Sequence, residues 1–237
     1  MARNSMMAAR AAGFAVCLIA GTAAADMVVV QAKGPGLKPG QVVATGAVVT
    51  LPAASRAMLL SRDGRTVALT GPFSGPVSEP GGGEAGDAKT VTVLSRLLTA
   101  GGADSSALGV TRAADFGSPY AILLTGGAAA FNHCQVAGEA ARFEREIGSP
   151  EERLTVTAPG GASETLVWAE DEAAVDWPAK LPLAAGTYGL QRGAQAKPAT
   201  LTIQLVPAGI TGPTALAVWM AEHGCPAQAK KLLAGLR

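Results

Sequence analysis

Apolar residues in this chain come in short, β-branched runs, and with 30 Gly and 15 Pro among 237 residues few segments are left long enough for a helix. Met27–Ala32, Gln41–Ala44, Ala47–Leu51, Arg56–Ser61 and Arg65–Thr70 read as strands, because apolar alternation in each is bounded by turn residues. Asp63-Gly64 lies between two such alternations and predicts a type I′ hairpin, whose central residues both need positive φ. Pro35, Gly36, Pro39 and Gly40 form a turn cluster, and Gly71–Gly75 also reads as turn.

Pro76–Gly86 is a Gly/Pro-rich breaker, and a helix is expected over Asp87–Ala100. Asp87 is its N-cap, Gly101-Gly102 stops it, and Val91, Leu94, Leu97 and Leu98 form a core-facing stripe. Gly101–Asp115 has the character of a loop. The β pattern then returns in Ala121–Thr125, Arg142–Ile147, Leu154–Thr157 and Glu164–Trp168, around the Gly186 bend through Tyr188 and Leu190, and in the alternation of Thr200–Leu205. At the end, Pro213 opens a helix that Gly224 closes and Pro226 opens another, a helical hairpin. The expected fold is therefore mainly β: a small N-terminal β module (26–80), a Gly-rich linker carrying the helix 87–100 (81–115), a β-sandwich-like unit (116–209) and the C-terminal hairpin (210–237).

Residues 1–25 have the layout of an export signal. Arg3 and Arg10 precede an apolar core, Ala11–Gly21, and Ala23-Ala24-Ala25 is a small-residue cleavage site before Asp26. The apolar run is well short of the ~20 residues that span a bilayer, and no later segment approaches a span, so the mature chain is expected to be periplasmic or secreted. Cleavage would discard Cys17 and leave Cys134 and Cys225 where thiols are oxidised, which predicts a disulfide between them.

The only histidines, His133 and His223, sit beside those cysteines. Four ligands for zinc is a second reading, but adjacent His133 and Cys134 cannot easily face one metal; a copper site has no Met-rich or His-rich tract behind it. A catalytic thiolate is a third, and oxidation would tend to capture it. Any role of the two histidines stays open at this point, and no cofactor is expected. Gly81–Gly86 before Lys89-Thr90 lacks the Gly-Lys adjacency of a phosphate loop. Ser74 is one place away from a nucleophile elbow. The carboxylates at Glu151-Glu152 and at Glu170, Asp171, Glu172 and Asp176 read as solvated turns, and Trp168 and Trp177 as anchors of the second β unit. Lysines and arginines are interspersed with acids to a net charge of +1, which gives no footprint for nucleic acid.

Lys38–Gly75 carries a Pro39-Gly40 turn, the Gly46 step, an apolar run into Leu51 and the Asp63-Gly64 hairpin followed by Thr66–Leu69. On those features the segment resembles the periplasmic β module of FecR-type regulators. The resemblance implies a non-enzymatic part in sensing or passing on an envelope signal through protein contacts. A cleaved signal in place of a cytoplasmic tail and span departs from that family, so transmembrane relay is not carried over. The expected function is an exported binding or accessory module whose partner is another envelope or periplasmic protein. A periplasmic hydrolase with a noncanonical site and a structural envelope component are the alternatives.

Overall fold

The computed structural model describes residues 26–78, 87–100, 118–124, 128–145, 149–193 and 198–236. The segments expected to be a signal (residues 1–25) and a loop (Gly101–Asp115), and most of the Pro76–Gly86 stretch, lie outside the described residues. The fold is mainly β, with three helices among the described residues, two of them a hairpin-like pair at the C-terminus.

The N-terminal strands are β1 (Asp26–Lys33), β2 (Val42–Ala44), β3 (Val48–Leu51), β4 (Arg56–Leu60), β5 (Thr66–Thr70) and β6 (Phe73–Pro76). They form a four-stranded sheet in the order β2-β1-β4-β5 and a two-stranded sheet, β3-β6. Met27, Val28, Val29 and Val30 of β1 are all buried, because both faces of that strand are covered. Met27 and Val29 join Val43, Val49, Leu51 and Leu59 in one core, while Val28, Val30 and Leu60 face the helices.

Helix α1 (Ala88–Thr99) starts as expected, with the Asp87 carboxylate accepting from the Lys89 N–H at 2.9 Å. Its Val91, Leu94 and Leu97 enter the shared core, with Leu98 packed at the margin. Gly40, at φ +84°, lets the helix approach: an added Cβ would lie 2.6 Å from Thr99 Cγ2. The Ser95 hydroxyl then donates to the Gly40 carbonyl at 2.7 Å.

The second β unit has β7 (Ile122–Leu123), β8 (Ala130–Gln135), β9 (Arg142–Glu144), β10 (Glu152–Thr157), β11 (Ser163–Trp168), β12 (Ala174–Asp176), β13 (Gly186–Arg192) and β14 (Ala199–Leu205). The order β11-β10-β13-β14-β8 makes one sheet and β12-β9-β7 another. Alternate residues of β10, β13 and β14, among them Leu154, Val156, Leu190, Leu201 and Ile203, pack with Ile122, Phe143 and Trp168 in a core between them. Trp177 stacks on Phe143 and meets Tyr188 edge-on, so it anchors this core as expected.

Helices α2 (Pro213–Glu222) and α3 (Pro226–Ala234) close the chain, each with Pro in its first turn. Leu216, Ala217, Met220, Ala229 and Leu233 pack with Val28, Val30, Leu94 and Cys134. The hairpin is therefore a shared layer that touches both β units.

Three expectations need correction. The Asp63-Gly64 hairpin exists, but Gly64 alone has positive φ, and Ser61 N–H to Arg65 O with Gly64 N–H to Ser61 O makes it a three-residue loop with Gly at its left-handed end. The Asp63 carboxylate accepts from the Ser61 hydroxyl and the Arg65 N–H, which holds Asp63 right-handed. Gly71–Gly75 is not all turn, since Phe73–Pro76 pairs with β3. Two further strands, β8 and β12, stand where the pattern announced none.

Candidate functional site

Cys134 of β8 and Cys225, the residue before α3, are joined, with S–S 2.07 Å and Cα–Cα 6.1 Å. Both are buried, at 0% and 2% exposure. Three glutamines complete the junction. Gln228 accepts from the Cys134 N–H at 2.8 Å and donates to the Cys134 and Pro119 carbonyls at 3.2 Å. β8 pairs with β14 on one side only, so this side-chain amide takes the place of a neighbouring strand on its other edge. Gln204 of β14 donates to the His223 carbonyl at 2.5 Å, at the end of α2. From the first module, Gln31 donates to the Ala234 carbonyl at 2.9 Å and to the Leu233 and Leu236 carbonyls at 3.4 and 3.3 Å. A register shift in the β1–β4 ladder between Val29 and Gln31 turns Gln31 to the helix side, under the carbonyls at the end of α3.

The histidines do not join the cysteines in one cluster. His133 and Cys134 are consecutive in a strand and point to opposite faces. His133 is buried with Nε2 3.1 Å from Gln135 Oε1, and burial lowers its pKa while the Gln135 hydrogen bond opposes that. His223 stacks on Trp219 at 3.9 Å with Nδ1 2.7 Å from the Trp219 carbonyl. Among the described residues no group of three His, Cys, Asp or Glu could hold a metal.

A histidine whose folded pKa is depressed binds its proton later than in the unfolded chain. Stability is unaffected above the ordinary value of 6.5 and falls as pH drops below it. Thermal midpoints should therefore decline on acidification from pH 6.5, and His133→Gln should flatten that limb. An equal slope in the variant would assign the loss to other groups.

Of the acidic clusters in the sequence reading, Glu151, Glu170 and Asp171 are exposed, and Glu152, Glu172 and Asp176 have structural partners. Glu152 takes a bidentate bond from Arg192, at 3.1 and 2.7 Å, and Asp176 pairs with Arg142 at 3.3 Å. Glu172 accepts from the Ala169 N–H at 3.0 Å. Ser74 lies in a strand with its hydroxyl 3.3 Å from that of Thr50. Gly81–Gly86 lies outside the described residues.

A different feature stands out on the first module. Between β2 and β3 runs a groove of about 330 Å³, lined by Gly36, Leu37, Gln41–Ala44 and Ala47–Thr50. Its origin is a turn: Ala47 N–H bonds Ala44 O at 3.0 Å, and of the central residues Thr45 and Gly46 only Gly46 has positive φ, +84°. That is type II geometry, which splays strands instead of laddering them. Among the described residues, β2 consequently pairs with β1 alone and β3 with β6 alone.

The alternation of antiparallel ladders turns the backbone N–H and C=O of Val42, Val48 and Thr50 away from their partners and into the gap, while the Ala44 carbonyl is taken up by the turn. Val42 and Val48 also keep their side chains 45% and 72% exposed. Sequence reasoning found the Gly46 step but not its consequence. The available signal was Thr45-Gly46, a pair that suits type II and not type I′.

No protein-family model matches the chain, and a comparison with curated proteins finds no match. No helix among the described residues is long and apolar enough to cross a membrane.

Proposed function

We propose that this chain is an exported, non-enzymatic accessory module of the bacterial envelope that binds another protein by accepting one of its strands between β2 and β3. The observation that carries this reading is the groove: two strand edges that a type II turn holds apart, with exposed valines on both lips. Unpaired edges are templates for strand addition, in which main-chain hydrogen bonds supply affinity and alternate side chains supply selectivity. Its strand lining, Gln41–Ala44 and Ala47–Thr50, falls within Lys38–Gly75, the segment that resembles FecR-type modules, and a contact role there agrees with that resemblance. Export is supported by the leading segment, whose apolar core and small-residue site Ala23-Ala24-Ala25 stand before Asp26. A buried disulfide suits an oxidising compartment.

A photo-crosslinking residue placed at Val42 in cells is expected to give one discrete adduct, and Val48→Pro, which removes an outward N–H from the opposite edge, should abolish it. An adduct that survives Val48→Pro, or that forms equally from Thr165 on the far sheet, would sink strand addition in this groove.

A further inference from the structure

We infer that the groove selects an extended partner segment with an acidic end, an assignment that rests on the strand-addition reading above. The overall balance of the chain hides a local one. From Met27 to Arg62 there is no acidic residue at all, whereas Lys33, Lys38, Arg56 and Arg62 fall in that stretch. Two neighbouring arginines are neutralised, Arg62 by Asp26 at 3.1 Å and Arg65 by Asp63 at 3.2 Å. Lys33, Lys38 and Arg56 are exposed, and no ion pair to them is formed among the described residues.

These three cations collect at one end of the groove. Lys38 lies between the lining residues Leu37 and Gln41. Gly36 packs so closely on the last lining residue that an added Cβ would be 3.3 Å from the Thr50 carbonyl, and one on Gly34 would be 2.6 Å from the Ser55 hydroxyl. Lys33 and Arg56, which flank Gly34 and Ser55, are direct partners in the β1–β4 register. Like charges opposite one another on a ladder destabilise it, so this end holds an electrostatic penalty that an incoming carboxylate would relieve.

Groove and cations together describe one occupant. Strands of three and four residues offer backbone bonds for about four residues of an extended segment, ~13 Å long. Val42 and Val48 favour apolar side chains on that segment, and acidic residues must follow beyond the Thr50 end. An anionic lipid surface would satisfy the cations but bring no backbone groups to the open edges.

The test is fluorescence anisotropy on the mature protein with labelled peptides of alternating valine and threonine that end in four aspartates, four serines or four lysines, each made with the charged end at either terminus. The aspartate peptide should bind about tenfold more tightly than the serine one, the lysine peptide more weakly than both. K33S/K38S/R56S should erase those differences and keep the serine-peptide affinity, and Val48→Pro should weaken every peptide. Unchanged thermal midpoints establish that the variants fold. Equal binding of the aspartate and serine peptides, with Val48→Pro still disruptive, overturns the acidic preference and leaves strand addition standing. Peptide binding indifferent to Val48→Pro overturns both. Retention on phosphatidylglycerol vesicles that K33S/K38S/R56S abolishes, without discrimination among peptides, overturns the inference in favour of lipid.

Discussion

Replacing Cys225 by serine should lower the thermal midpoint by about 10 °C and open the C-terminal hairpin to protease first. The bond closes a loop with a sequence separation of 91 residues, for which chain entropy alone gives about 4–5 kcal/mol, and native disulfides deliver about 2–5. The loss should show as easier local opening with the native arrangement retained, because Gln228 still bonds Cys134, Gln204 still bonds His223, and the buried face of α2 and α3 still packs on β1 and α1. Removing the amide as well, in C225S/Q228A, should cost more than the two separate losses, since both hold the same helix to the same strand. Calorimetry with limited proteolysis checks this, and intact mass before and after reduction checks the bond itself by a gain of two hydrogens. An unchanged midpoint in Cys225→Ser, with two alkylatable thiols in the unreduced protein, would remove the bridge from the account.

What could be read from the sequence was whatever a few neighbouring residues decide. Helix ends are of that kind: the Asp87 cap and Pro213 and Pro226 in first turns act within one turn of chain, and each lies where expected. The disulfide was legible because the signal cleavage expected from residues 1–25 would leave a single pair. β6 was not, since Gly75 and Pro76 carry turn chemistry and pairing with β3 outweighs it. β8 was hidden for another reason. His133, Cys134 and Gln135 are consecutive buried polar or small residues without alternation, and their cover includes a helix whose Gln228 is 94 positions away. The same holds for Gln31, whose partners at the end of α3 are more than 200 residues distant. The groove was half visible: Gly46 was noticed, but strand divergence depends on Thr45 not sharing its positive φ. Charge misled through averaging, because a net of +1 conceals a stretch without acids.

Arg145→Met is expected to cost about 3–5 kcal/mol, the other large effect in this molecule. Arg145 is only 2% exposed, yet every arm of its guanidinium is used. Nε donates to the Glu172 carbonyl at 3.1 Å, one terminal nitrogen to Pro150 at 2.7 Å and the other to Ala169 at 2.5 Å. The plane lies 4.7 Å from the Trp168 ring centroid, and Glu152 is 3.8 Å away. Replacing a buried ion pair as a whole by apolar residues can be neutral, but here the acceptors are backbone carbonyls that no substitution removes. Three would lose a donor, at about 1 kcal/mol each, together with the cation–π contact. Glu152 adds little to the loss, because Arg192 continues to hold it at 2.7 Å. Arg145→Lys should recover only part, since one ammonium cannot span three carbonyls that a planar fork reaches. The readout that separates this role from simple filling of space is local: the loop carrying Asp171, at φ 60°, is tied to the Ser149 carbonyl through its N–H at 3.1 Å, and that amide should lose protection from hydrogen exchange well before the β10–β13 ladder does. Should Arg145→Met keep both its midpoint and that protection, the guanidinium would be dispensable and the loop would be held by its own hydrogen bonds.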